Sequence, residues 1–310
     1  MSLVDIRRAW DRFFFEPTSV INIAVYRIAL GLLVLNYGAL LAPDLLVWFG
    51  EKGPLSLATS RLIPGGQGWV NVFIWLPRSD SWVWGFYIFF MVAAVLMTIG
   101  FMTRISTFLV FVGIASFHHR NVMIPNSGDY FIRLALFFMI FSQAGATLSI
   151  DQMIWTKHDK EASTPFRAPW AMRMIQLQLC FLYVAAYLWK IRGDLWLHGI
   201  AVYYPARLQE FFRFPVPYIF EHMWTIKLWT WGTLVVELSL GTLVWIKELR
   251  YWVLLAGILL HLGIAYSMNI PMFAQIMIST YVLWVDPKYS EQTIAWIQRK
   301  IKFRGVLSKP

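Results

Sequence analysis

The 310-residue sequence holds one cysteine, Cys180. A single thiol excludes an intrachain disulfide, a CxxC redox pair and a thiolate zinc site. Charge is scarce too: 14% of residues are Asp, Glu, Lys or Arg, against about 25% in soluble domains. Acidic residues are the scarcer sign, 17 against 27 Lys and Arg, which leaves a formal net charge of +10. No internal repeat is visible, and no two spans share matching Gly/Pro breaks, which ranks an inverted-repeat transporter last. Residues 2–15 carry Arg7, Arg8 and Arg12 around a short apolar run, so no cleavable signal is expected there.

What fills the space is hydrophobic. Such residues make up 58% of the chain, and the mean hydropathy is +0.56. This is the composition of an integral membrane protein. The 17 Trp, 24 Phe and 13 Tyr suit rings seated at headgroup level. The basic residues cluster in loops and tails, as cytoplasmic anchoring requires. The lipid bilayer is therefore the expected partner, and nucleic acid is not.

A spanning helix needs about 20 apolar residues. Apolar stretches fall at residues 19–42, 82–101, 105–117, near 128–145, and at 170–190, 223–246, 251–268 and 272–285. They predict an all-α integral membrane protein with about eight transmembrane helices. The connection 43–80 holds two short apolar pieces, 45–49 and 69–75, read as interfacial or re-entrant helices on the non-cytoplasmic side. Thr103-Arg104 is expected as a tight turn, and His118-His119-Arg120 as a loop. The expected organisation is an N-terminal cytoplasmic or interfacial segment 1–18, a transmembrane domain 19–287 and a basic amphipathic tail 288–310. Both termini, Arg104, the loop with Lys157, Lys160 and Arg167, and the tail with Arg299, Lys300 and Lys309 then face the cytoplasm of a cell membrane, with bacterial inner membrane as the expectation. Arg120, Arg192, Arg207 and Arg213 fall on the other side.

Polar residues inside apolar segments are costly and mark pockets or helix contacts. Gln176, Tyr183, Tyr187 and Lys190 are seven, four and three apart, one face of a helix that breaks at Gly193. Lys190 has two readings: an ammonium snorkelling to the membrane surface, or a lysine in a protein-lined pocket, serving as base or nucleophile. The polar stripe favours the pocket. Asp129 and Arg133 are four apart at the start of the fourth stretch, after Asn126. They suit an N-cap with an ion pair, or a polar pocket. His261 lies deep in the seventh stretch with Asn269 two turns on. Glu237 requires a cationic partner, for which Arg27 is available. The adjacent spacing of His118-His119 does not suit a metal, and none is expected.

Several of these pieces together resemble one family. They are Phe15-Glu-Pro-Thr-Ser-Val with Tyr26-Arg27-Ile28; Gly100-Phe-Met-Thr-Arg104; Arg120-Asn121 with Asn126-Ser-Gly-Asp-Tyr-Phe-Ile-Arg133; Ser149-Ile-Asp151; and Pro169-Trp170 with Arg173 and Gln176. Lys190, Gly193, Trp196 and Gly199 follow, then His261 with Asn269 and Phe273. Their order over roughly residues 15–286 resembles HTTM-domain proteins, related to the vitamin K-dependent γ-glutamyl carboxylase. In that enzyme vitamin K hydroquinone is oxygenated to a strong base, and a membrane lysine starts the quinol chemistry. The resemblance implies that Lys190 is this base, with His261 and Asp129 at the same site. Asn126, Arg133, Tyr183, Tyr187, Gln176, Trp196, Asn269, Arg27 and Glu237 would line the pocket. The implied cofactor is reduced vitamin K or another isoprenoid quinone, without a metal. Two departures limit the likeness. Animal carboxylases carry a histidine near the position of Asp129. They also continue into a large soluble region that presents glutamates, where this chain ends soon after its last expected span. Carboxylation itself is therefore not implied. The expected function is a membrane enzyme binding a quinone- or lipid-like molecule. The alternative is a non-enzymatic factor for maturation or export of a small peptide or partner protein.

Overall fold

The computed structural model describes residues 2–63, 70–158, 166–211 and 213–307. Of the residues named above, Trp69, Lys160 and Lys309 lie outside the described ones. The fold is all-α. Helix α1 (Leu3–Phe15) opens on a capping box between Ser2 and Asp5. Helices α2 (Ile21–Leu41), α3 (Leu45–Phe49), α4 (Leu57–Leu62), α5 (Asp80–Ile99), α6 (Thr103–Arg120), α7 (Ser127–Ile140) and α8 (Ile150–His158) follow. Then come α9 (Trp170–Lys190), α10 (Asp194–Leu197), α11 (Met223–Gly241), α12 (Arg250–Ser267), α13 (Phe273–Thr280) and α14 (Pro287–Leu307). One short antiparallel pair, β1 (Thr18–Ser19) with β2 (Phe166–Arg167), ties the chain ahead of α2 to the chain ahead of α9.

Four of these segments are long and apolar enough to cross a membrane: Ile21–Phe49, α5, α9 and α12. At 1.5 Å per residue, the 21 residues of α9 span about 32 Å, the thickness of a hydrocarbon core. Helix α7 has 14 residues and stops at Ile140, short of the expected end near residue 145. The apolar piece Phe273–Trp284 is likewise short. His118, His119 and Arg120 form the last turn of α6 and not a loop. The α5–α6 turn is made by Gly100 and Met102, both at positive φ, so Thr103 already belongs to the helix.

Helix packing closes on itself. Helix α2 lies against α5, α5 against α6, α6 against α7, α7 against α9, α9 against α11, α11 against α12 and α12 against α13. Short α13 then packs on both α2 and α7. Tyr26, Leu30, Phe90, Phe117, Phe131, Leu136 and Ile276 are buried between them. Close approach is built in where it matters for the site. A Cβ on Gly241 would stand 2.6 Å from Val184 Cγ2, so α11 lies tight on α9.

Arg27 is buried without exposure on α2. Its guanidinium donates to the carbonyls of Ala144 (2.6 Å) and Leu148 (2.5 Å) in the α7–α8 connection. Beside it, Asp151 accepts from the backbone of Met102 and Thr103 and from the Thr103 hydroxyl, at 2.6–2.8 Å. Arg27 is therefore not the partner of Glu237. Its several donors suit carbonyls of the α7–α8 connection, which no helix ladder pairs.

Candidate functional site

Helix α9 ends where its sequence says it must. The carbonyl of Lys190 accepts from Gly193 N–H (2.9 Å), and α10 turns the chain back. A cation in the last turn also suits the negative end of the helix dipole. The turn brings Trp196 beneath Lys190, whose Nζ lies 5.0 Å from the ring centroid. Gly199 then adopts φ +76°, and a Cβ there would press on Lys227 and Trp231. The spacing Lys190, Gly193, Trp196, Gly199 is thus one folded unit.

Lys190 Nζ forms an ion pair with Glu237 Oε1 on α11. The side chain of Lys190 keeps 26% of its surface and that of Glu237 8%. Two turns back on α9, the Tyr183 hydroxyl lies 2.7 Å from both His261 Nε2 and the Tyr281 hydroxyl. Lys190, Glu237, Tyr183 and His261 border a cavity of about 600 Å³, and Tyr281 stands behind Tyr183. Its walls are mostly apolar, with Leu182, Ala186, Val202, Phe220, Trp229 and Ile264 among them. Lys190, Glu237, Tyr183, His261 and Thr233 are among its polar lining residues. Two buried atoms in this group have no hydrogen-bond partner: Glu237 Oε2 and His261 Nδ1. When Tyr183 donates to Nε2, the imidazole carries its hydrogen on Nδ1, a donor left without a partner. Unmet polar atoms in an apolar site are what a ligand's head group can satisfy.

The other expected site residues distribute as follows. Gln176 is buried at the far end of α9, where it donates to the carbonyl of Leu283 (2.8 Å) and accepts from Arg173 (3.0 Å). Tyr187 is half-buried and does not line the cavity. Asn126 and Asp129 cap α7 reciprocally: Asn126 Oδ1 accepts from Gly128 N–H (2.7 Å), and Asp129 Oδ2 accepts from Asn126 N–H (2.8 Å). Arg133 turns instead to His119 (3.3 Å) and the Tyr130 ring. No Asp129–Arg133 ion pair is found among the described residues, because the carboxylate is turned back onto the backbone. Only the neighbouring Ser127 reaches the cavity wall. Asn269 lies past the end of α12 at Ser267 and is exposed, so it does not share a helical face with His261. Its N–H donates to the Phe211 carbonyl (2.6 Å).

Sequence reasoning missed Tyr281, Thr233 and the wall built from residues 201–220. Tyr281 stands in an apolar run with no polar residue at helical spacing to mark it.

Fold and site together define an all-α protein with membrane-spanning-length apolar helices and a mostly apolar cavity bordered by a part-buried ion pair. The chain belongs to the HTTM-domain family, whose model matches residues 68–289 and so includes every residue of the cavity. The HTTM domain is a carboxylase-associated membrane domain. No solved structure matches this chain.

Proposed function

We propose that this protein is an integral membrane enzyme that holds a quinone- or lipid-like molecule in the cavity between α9, α11 and α12, with Lys190 as its base. The observation that carries the reading is the Lys190–Glu237 ion pair at the edge of a cavity whose walls are otherwise mostly apolar. About 600 Å³ lies within the usual range for small-molecule sites. The reading includes eight spans, both termini on the cytoplasmic side of a cell membrane, and the cavity toward the other side. The shorter helices α7 and α13 would cross with the help of their neighbours, since each packs inside the closed circuit.

An isoprenoid quinol such as reduced vitamin K fits these residues: hydroxyls for Glu237 and His261, and a hydrocarbon body for Leu182, Phe220 and Trp229. Such a group, when bound, supplies redox chemistry and an acidic hydroxyl. In the ion-paired form Lys190 is an ammonium and cannot accept a proton. Moving one proton from Nζ to Glu237 Oε1 gives an amine beside a carboxylic acid, both uncharged, which an apolar cavity tolerates better than separated ions. The amine can then take the hydroxyl proton. Tyr183, held by Tyr281, keeps His261 in the tautomer that donates from Nδ1.

The second reading is a non-enzymatic membrane factor for a small peptide or partner protein. The ion pair itself favours it, because a lysine that stays paired binds without reacting. Replacement of Lys190 by Ala separates the two. With membranes supplied with quinol, the enzyme reading predicts loss of turnover by about a hundredfold or more. An unchanged rate would remove Lys190 as the base.

A further inference from the structure

Resting on the reading that this cavity holds an apolar molecule, we propose that Glu237 determines the charge of that molecule's head group. By neutralising Lys190, it makes the polar end of the cavity select an uncharged hydroxyl- or carbonyl-bearing head group over an anionic one. A buried lysine alone would attract carboxylates and phosphates, the commonest head groups in a membrane. Here Lys190 and Glu237 are the only ions among the described residues that line the cavity, and they are joined to each other. The lining therefore carries no net charge beside His261 in its neutral form. An anionic head brought to Lys190 would also meet the carboxylate of Glu237, whose Oε2 has no donor to quench it. Like charges repel strongly at the low effective dielectric of such a site. A hydroxyl meets no such barrier. It can donate to the carboxylate of Glu237 or accept from the ammonium of Lys190, both of which border the cavity. Rejection by an unneutralised like charge is selectivity by repulsion, which costs little for the accepted ligand.

The test is equilibrium binding of three probes sharing one chain length to the full protein in lipid nanodiscs: radiolabelled 1-hexadecanol, palmitate and hexadecylammonium. At about pH 8 the palmitate carboxylate is ionised. Wild type should prefer hexadecanol to palmitate by at least about tenfold, ~1.4 kcal/mol. Glu237→Gln should gain palmitate binding and so shift the preference between palmitate and hexadecanol by about tenfold toward palmitate. The reciprocal Lys190→Met leaves the carboxylate uncompensated and should gain hexadecylammonium binding instead. Either variant suffices if the other fails to fold. The proposal is overturned if wild type binds palmitate as well as hexadecanol, or if a folded Glu237→Gln takes up no more palmitate than wild type. Binding of none of the three probes to wild type is a different failure: it removes the cavity reading itself, and the charge rule with it.

Discussion

Arg27 on α2 and Lys190 on α9 are both cations inside an apolar bundle, and their surroundings differ in kind. Arg27 is fully buried, and its terminal nitrogens are spent on the Ala144 and Leu148 carbonyls. Its Nε alone is left without a partner, and the guanidinium, the neighbouring Asp151 and the α5–α6 turn lock the chain together. Lys190 keeps a quarter of its side-chain surface, has one carboxylate partner, and sits where that partner and a histidine still have unmet hydrogen-bonding capacity. A buried charge whose neighbours are all satisfied is a structural clasp. One whose neighbours are left short beside an open cavity is available to a ligand.

That contrast can be broken by substitution. The largest effect should come from Arg27→Met, which strands two buried carbonyls. We expect a loss of ~3–5 kcal/mol, seen as a much lower thermal midpoint in detergent or as failure to accumulate. Asp151→Ala removes three hydrogen bonds that cap α6 and should cost ~2 kcal/mol by the same assay, with no direct effect on ligand binding. Tyr281→Phe deletes the hydroxyl that holds Tyr183, at ~1 kcal/mol of stability. Hexadecanol binding should stay within about twofold of wild type in the nanodisc assay, because Tyr183 keeps His261 Nε2 as its partner and so holds the tautomer. The smallest change in stability should follow replacing both partners of the cavity ion pair, Lys190→Met with Glu237→Leu. Removing both charges together should leave the unfolding midpoint within ~1 kcal/mol of wild type or raise it. Hexadecanol binding should nevertheless weaken by about tenfold, the loss of the hydroxyl's partners at the ion pair. A collapse in stability of this double variant would make Lys190 a clasp like Arg27 and erase the distinction.

The sequence made the two cations visible but not their difference. Apolar runs located α2, α5, α9 and α12 closely, since a continuous hydrophobic stretch of about 20 residues has few alternatives. The polar stripe on α9 pointed at Tyr183 and Lys190, and helical periodicity is enough for that. Periodicity misled where local chemistry competed with it. Asp129 and Arg133 have ion-pair spacing, but the carboxylate is used by the Asn126 capping box. Asn269 counted as two turns beyond His261 only if α12 continued past Ser267, and it does not. Which anion meets which cation depends on how α9 and α11 pack. The choice of Lys190 over Arg27 for Glu237 rests on the close approach at Gly241, contacts distant in sequence. The cavity wall from residues 201–220 is irregular chain with short turns, which leaves no periodic signal to read.

The central claim is that the space beside Lys190 and Glu237 holds a neutral apolar molecule. Gly263 on α12 faces that space, and a Cβ there would have its nearest neighbour, Trp229, at 3.8 Å, so a side chain at this position enters the cavity without displacing backbone. The most direct measurement is mass spectrometry of organic extracts from purified wild-type protein and from Gly263→Leu, prepared from the same membranes. Wild type should carry a hydroxyl- or carbonyl-bearing apolar molecule in near-stoichiometric amount, and the filled variant should lose it. Identical extracts from the two proteins, or only phospholipid in both, would contradict it.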